Sequence, residues 1–181
     1  MKTSFIVFLF LLTTLSGHSQ NSDKELWDKA NLILETNGEI YYDYFNSKEI
    51  DKKTLDTLNK KWTLKALIFI DQILKEYPNS ELYNNALLIK AENELAINNK
   101  AVSKAAFNEL LSRSNLKRGM KYNSYIGLAW IAIDEQNFKL ANEYLTLAEN
   151  NPKNYSCGTE YYGDKERLNN MRKICISGGR K

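Results

Sequence analysis

The chain has 181 residues, with 25 Lys and Arg against 22 Asp and Glu, a net charge of +3 and one histidine. So even a balance gives no drive toward a nucleic acid or an acidic membrane as partner, and no Gly-rich phosphate loop occurs. Low glycine and proline beside abundant Leu, Ala, Glu, Lys and Asn suit an all-helical chain.

The chain begins with a segment that reads as an address rather than as fold. Lys2 is a short positive region, and Phe5 to Leu12 is an unbroken apolar run. That run is too short to span a membrane and about right for a signal-peptide core. Small and polar residues follow at Thr13, Thr14, Ser16 and Gly17, so cleavage is expected after Ser19, leaving Gln20 first. An uncleaved N-terminal anchor is the alternative. No cysteine lies near the cleavage point, and no later apolar stretch reaches membrane-spanning length. Residues 1–19 are thus expected to direct export to the periplasm or outside the cell. His18 leaves with them.

Ser22-Asp23-Lys24-Glu25 has capping-box spacing and predicts a helix start. Trp27, Ala30, Leu34, Gly38, Tyr41 and Phe45 then recur at steps of three and four, one face of a helix over 23–45. Gly38 on that stripe would let a neighbouring helix approach closely. Asn37-Gly38 is also a strong hairpin dipeptide. The helix is preferred because Leu32-Ile33-Leu34 and Ile40-Tyr41-Tyr42 do not alternate. Asn46 to Lys53 reads as a loop. A second helix is predicted over 54–77, with Leu55, Leu58, Trp62, Ala66, Ile70, Ile73 and Tyr77 on its face. Pro78 stops it, and Ser80 caps the next.

The third helix is predicted over 81–97, broken by Asn98-Asn99, and the fourth over 101–112 with Ser103, Phe107, Leu110 and Leu111. A fifth follows over 117–134 and a sixth over 138–150, stopped by Pro152. Residues 152–163 read as irregular, and a short seventh helix is predicted over 164–176, ending at Gly178-Gly179. Helices of this length joined in order by short loops form antiparallel hairpins, 23–45/54–77, 81–97/101–112 and 117–134/138–150. Ala91 and Ala129 lie 38 residues apart, as do Ser103 and Ala141. A fixed period of this size marks a helical solenoid.

In these residues the chain resembles the tetratricopeptide repeat (TPR) family. Over Tyr122 to Tyr155 the family's pattern of large and small positions is met by Tyr125, Leu128-Ala129, Phe138, Ala141, Leu145 and Ala148, with Pro152 one position early. The preceding repeat is weaker, with Ser103 in the small position of its second helix, and the first pair is an outlier. The likeness covers about Thr63 to Tyr155. It implies an all-α fold of antiparallel hairpins stacked as a short TPR-like α-solenoid over residues 20–152, with a C-terminal cap over 153–181. It also implies a non-catalytic scaffold that holds a protein or peptide on a concave face. The family's groove-facing positions fall on Asn123, Ile126, Trp130, Ile133 and Asp134. Trp130 is the natural anchor, because tryptophan is over-represented among interface hot spots. The alternative is that it packs under the C-terminal tail.

The sequence offers few groups for catalysis. Without a mature histidine no Ser-His-Asp triad and no His-bearing zinc helix can be assembled. No catalytic residue, metal site or cofactor is expected. A two-carboxylate glycosidase is the enzymatic alternative, but no acid sits on an otherwise apolar stripe. Cys157 and Cys175 are an even pair in a chain expected to be exported, which favours a disulfide tying down the tail. Leu168, Met171 and Ile174 give the tail helix an apolar stripe beside Cys175. Two free thiols are the alternative. The aromatic and glycine-rich segment 154–163 reads as a tie over the last hairpin or as a recognition loop. The basic cluster Lys165, Arg167, Arg172, Lys173, Arg180 and Lys181 reads as a solvated face. Two functional classes follow, an envelope scaffold for a protein or peptide partner and a dedicated inhibitor or immunity-type protein. Neither requires nucleic acid or a transmembrane segment.

Overall fold

The computed structural model describes residues 22–40, 42, 44, 51–114 and 116–178. The expected signal segment 1–19 with its cleavage point, most of the loop after Phe45, and Arg180 and Lys181 lie outside the described residues. All secondary structure among the described residues is helical. α1 runs over 22–40, with 42 and 44 also helical. It is followed by α2 (Lys52–Glu76), α3 (Tyr83–Ala96), α4 (Lys100–Ser112), α5 (Arg118–Asp134), α6 (Phe138–Glu149) and α7 (Gly158–Gly178). The fold is all-α with neighbouring helices packed in consecutive pairs, as the three-four periodicity requires. None of the described helices is long and apolar enough to cross a membrane.

The chain divides into two compact units, one ending at Ala86 and one beginning at Leu87. In the first, α1 runs straight through Asn37-Gly38, so the helix prevails over the hairpin. Leu26 and Ala30 of α1 are buried, as are Leu55, Ala66, Leu67, Ile70 and Ile73 of α2. Gly38 corrects the expected close approach. It is exposed, and a methyl group there would meet nothing within 4 Å. The buried face turns through Asn37 instead, whose Nδ2 donates to Asn59 Oδ1 at 2.6 Å. Asp51 caps α2, accepting from the Thr54 amide at 3.0 Å and the Thr54 hydroxyl at 2.6 Å. Those bonds hold its carboxyl below the usual value. Ser80 ties the ends of this unit, donating to Asp23 at 2.7 Å and accepting from the Leu82 amide at 3.0 Å.

The second unit shows the repeat in its backbone. Asn98 and Gln136, 38 residues apart, adopt left-handed φ values of 65° and 58°. Each closes a helix by the same pair of bonds. Asn98 N donates to Leu95 O and Asn99 N to Glu94 O, while Gln136 N donates to Ile133 O and Asn137 N to Ala132 O. These are Schellman closures, which satisfy carbonyls the helix end leaves open. The next residues, Asn99 and Asn137, start α4 and α6 with nearly equal dihedrals, φ −90° and ψ 67° against φ −89° and ψ 71°.

Small residues set the helix spacing. Ser103 is fully buried and donates to the Ala91 carbonyl at 2.7 Å, joining α4 to α3. The Phe107 ring of α4 fills the space above Gly127 of α5, where a Cβ would fall 2.2 Å from Phe107 Cζ. Only glycine admits the ring there. Ala129, Ala141, Leu145 and Ala148 form one buried cluster with Tyr122, Ile126, Ala132 and Ile133.

The tail differs from its sequence reading in two ways. α7 begins at Gly158, so the stretch 158–163 is helical and not irregular. Its start is set by Glu160, whose carboxylate accepts from the Ser156 amide at 3.1 Å and the Ser156 hydroxyl at 3.0 Å. Those bonds hold the Glu160 carboxyl low. Second, Cys157 and Cys175 are both free, one exposed and one buried. A continuous helix separates them by about 25 Å at 1.5 Å per residue, where a disulfide needs Cα atoms within about 7 Å. The expected bridge is therefore not formed in this structure. Packing holds the tail instead. Leu168, Met171 and Cys175 join the core cluster of α5 and α6, and each fully buried Leu or Met stabilises by about 1.5–3 kcal/mol. Ile174, expected on the same stripe, remains partly exposed.

Candidate partner-binding site

α5 carries all five groove positions, and the structure treats them differently. Ile126 and Ile133 are buried, 5% and 9% exposed, in the cluster that includes the α7 residues. Asp134 lies at the helix end and pairs with Lys100 at 3.1 Å. Asn123 donates from Nδ2 to Glu92 Oε1 of α3 at 3.1 Å. Trp130 remains 38% exposed. The two readings of Trp130 converge: it lies beside the tail and also keeps an open face. It lines a pocket of about 360 Å³ between α5 and α7 with Glu166, Arg167, Asn170, Met171 and Ile174.

One edge of this pocket is a polar cluster that orients Arg167. The Arg167 guanidinium donates to Asp164 Oδ1 at 3.0 Å, and Lys153 Nζ meets Asp164 Oδ2 at 3.0 Å. Both cations lie over the Tyr122 ring, Lys153 Nζ at 5.0 Å and the Arg167 Cζ at 5.6 Å from its centroid. Such contacts add cation–π attraction to the ion pairs. Burial pushes the Tyr122 phenol up, with the charge of Arg167 opposing. Glu92 belongs to the same surroundings. Burial raises its carboxyl above the usual value, while the Asn123 amide and the charges of Lys153 and Arg167 pull it down. Beyond Lys153, Tyr155 and Tyr161 meet edge to face at 5.4 Å, and Tyr161 meets Tyr162 at 5.5 Å. Tyr155, Tyr161 and Tyr162 thus form an aromatic ledge at the start of α7.

An indole face, a guanidinium held in place by Asp164, and the polar ends of Glu166 and Asn170 suit a side chain with an apolar body and a polar tip. Among the described residues no group of three His, Cys, Asp or Glu is placed to hold a metal ion. Sequence reasoning found Asn123 and Trp130 but missed Glu92, Lys153, Asp164 and Arg167 as members of one site. The 38-residue offset that pairs Ala91 with Ala129 also pairs Glu92 with Trp130, and so could have found Glu92. The others come together only when α7 packs. Comparison with protein-family models, with curated proteins and with solved structures returns no match.

Proposed function

We propose that this chain is an exported, non-catalytic, TPR-like helical scaffold that binds a protein or peptide partner in the cell envelope. The observation that carries this reading is Trp130, a large aromatic left open at a pocket while the groove positions Ile126 and Ile133 are buried. Tryptophan and arginine are enriched among the few residues that carry most of the energy in protein interfaces. The partner places a side chain against Trp130 and a polar group near Arg167. The test is capture from the native envelope with wild-type protein and with Trp130→Ala, using Leu147→Ala as an exposed apolar control. A partner held by wild type and by Leu147→Ala but lost with Trp130→Ala supports the reading. Equal capture by all three overturns it.

A second reading, a dedicated inhibitor or immunity-type protein, gains support from one feature. α7 covers Ile126 and Ile133, which leaves a small fixed patch in place of an open trough. Capture of one tight partner whose activity is blocked selects this reading. Capture of several unrelated peptides selects the scaffold.

A further inference from the structure

α2 has a second face that the packing of its own unit does not use. Leu55, Ala66, Leu67, Ile70 and Ile73 are buried on one side. On the other side Lys53, Thr57, Lys60, Lys61, Leu64 and Ile68 recur at steps of four, three, one, three and four, which places them on one face of a helix. All six are exposed, Leu64 at 47% and Ile68 at 64%. Lys52, Lys53, Lys60 and Lys61 line a shallow groove of about 860 Å³ with Leu64, and among the described residues Asp56 is the only carboxylate in it. From 52 to 65 the helix carries five lysines against that one acid. The chain's overall charge hides this concentration.

We propose that the exposed face of α2 docks on an anionic lipid surface, with the lysines at the headgroups and Leu64 and Ile68 dipping below them. Charge complementarity argues for an anionic occupant. The residue types argue for lipid over protein. Lysine is depleted in protein interfaces, where Trp, Tyr and Arg dominate, and this face has none of those three. Lysines around an aliphatic pair are what an interfacial helix presents to a charged membrane, long stems lying on the apolar surface and ammonium groups in the headgroup layer. The binding is peripheral. Only two aliphatic side chains are free to enter, so electrostatics carries most of it and salt weakens it.

The experiment is co-sedimentation of the purified protein with vesicles of phosphatidylcholine alone or with phosphatidylglycerol added. Four proteins are compared, wild type, Lys60→Glu/Lys61→Glu, Leu64→Ser/Ile68→Ser and Trp130→Ala, so that any contribution of residues 1–19 is common to all. Circular dichroism verifies the fold, and Lys60→Gln/Lys61→Gln replaces the charge reversal if that variant unfolds. Wild type should bind only the anionic vesicles and release them as salt rises. The charge reversal should weaken binding by about tenfold or more, and the serine pair by about threefold. Trp130→Ala should bind like wild type, which separates this face from the partner site. Three results would overturn the proposal. They are equal binding to neutral and anionic vesicles, no effect of the charge change, or binding to polyglutamate or duplex DNA without binding to vesicles.

Discussion

The hairpins α3–α4 and α5–α6 close with the same turn, yet they differ in the side chains that the turn positions. Asn98 and Gln136 occupy the same left-handed site, and Ser103 and Ala141 the same fully buried small site. At the equivalent outward position one hairpin has Glu92, drawn into hydrogen bonding with Asn123, and the other has Trp130, open at the α7 pocket. The repeat therefore resides in the backbone closures and in the small residues that set helix spacing. The individuality of each hairpin resides in what stands one residue beyond. A further asymmetry is the neighbour. The α5–α6 pair is closed by α7, whose Leu168, Met171 and Cys175 complete its core.

The largest effect should come from the shared small sites. Ala141→Leu and Ser103→Leu should each overpack their hairpin and cost about 1–3 kcal/mol, read as a fall in the denaturation midpoint. If only one of the two destabilises, the equivalence of the hairpins is broken. Next is the junction between them. Gly127→Ala places a methyl group against the buried Phe107 ring. It should destabilise by about 1–2 kcal/mol even after the helix-propensity gain of alanine over glycine. Phe107→Leu in the same chain should make the alanine less costly, which a double-mutant cycle would show as coupling.

A smaller effect, opposite in sign, is expected at the turns. Gln136→Gly should stabilise by about 1 kcal/mol by removing a side chain from a left-handed position. Asn98→Gly should gain less, because asparagine tolerates that conformation. Equal gains at the two sites would contradict the distinction.

The smallest effect depends on pH. Burial raises Glu92 above its ordinary 4.5, so the folded state holds the proton more tightly than the unfolded chain. The stability it contributes is complete below that value and is lost as pH rises through the folded value. Glu92→Gln should therefore melt higher than wild type at neutral pH, and the difference should vanish in acid. A difference independent of pH would show that Glu92 is not desolvated in this way.

Much of this was legible in the sequence. Pro78, Pro152 and the paired asparagines 98–99 mark helix ends that the structure places within three residues. The buried residues of α2 follow the three-four pattern. The start of α7 was not legible for two reasons. Gly158 and Gly163 are poor helix formers, and the bond that starts the helix joins Ser156 to Glu160 across four residues, not the three of a capping box. The separation of Cys157 from Cys175 was not legible either. An even cysteine count says nothing of distance, and a continuous helix puts the two thiols at opposite ends. At the site, Trp130 and Asn123 could be read from repeat register. The Asp164 pairing with Lys153 and Arg167 could not, because it needs the tail helix docked.

The central claim is that the last hairpin is closed by a continuous helix held by packing, with no covalent tie. Counting thiols in unreduced, fully denatured protein purified from its native compartment tests it most directly. Alkylation followed by mass spectrometry should find both Cys157 and Cys175 labelled in every chain. Two unlabelled cysteines in a monomeric chain, joined in one peptide after digestion, would contradict it, because no such bond can form across an intact α7.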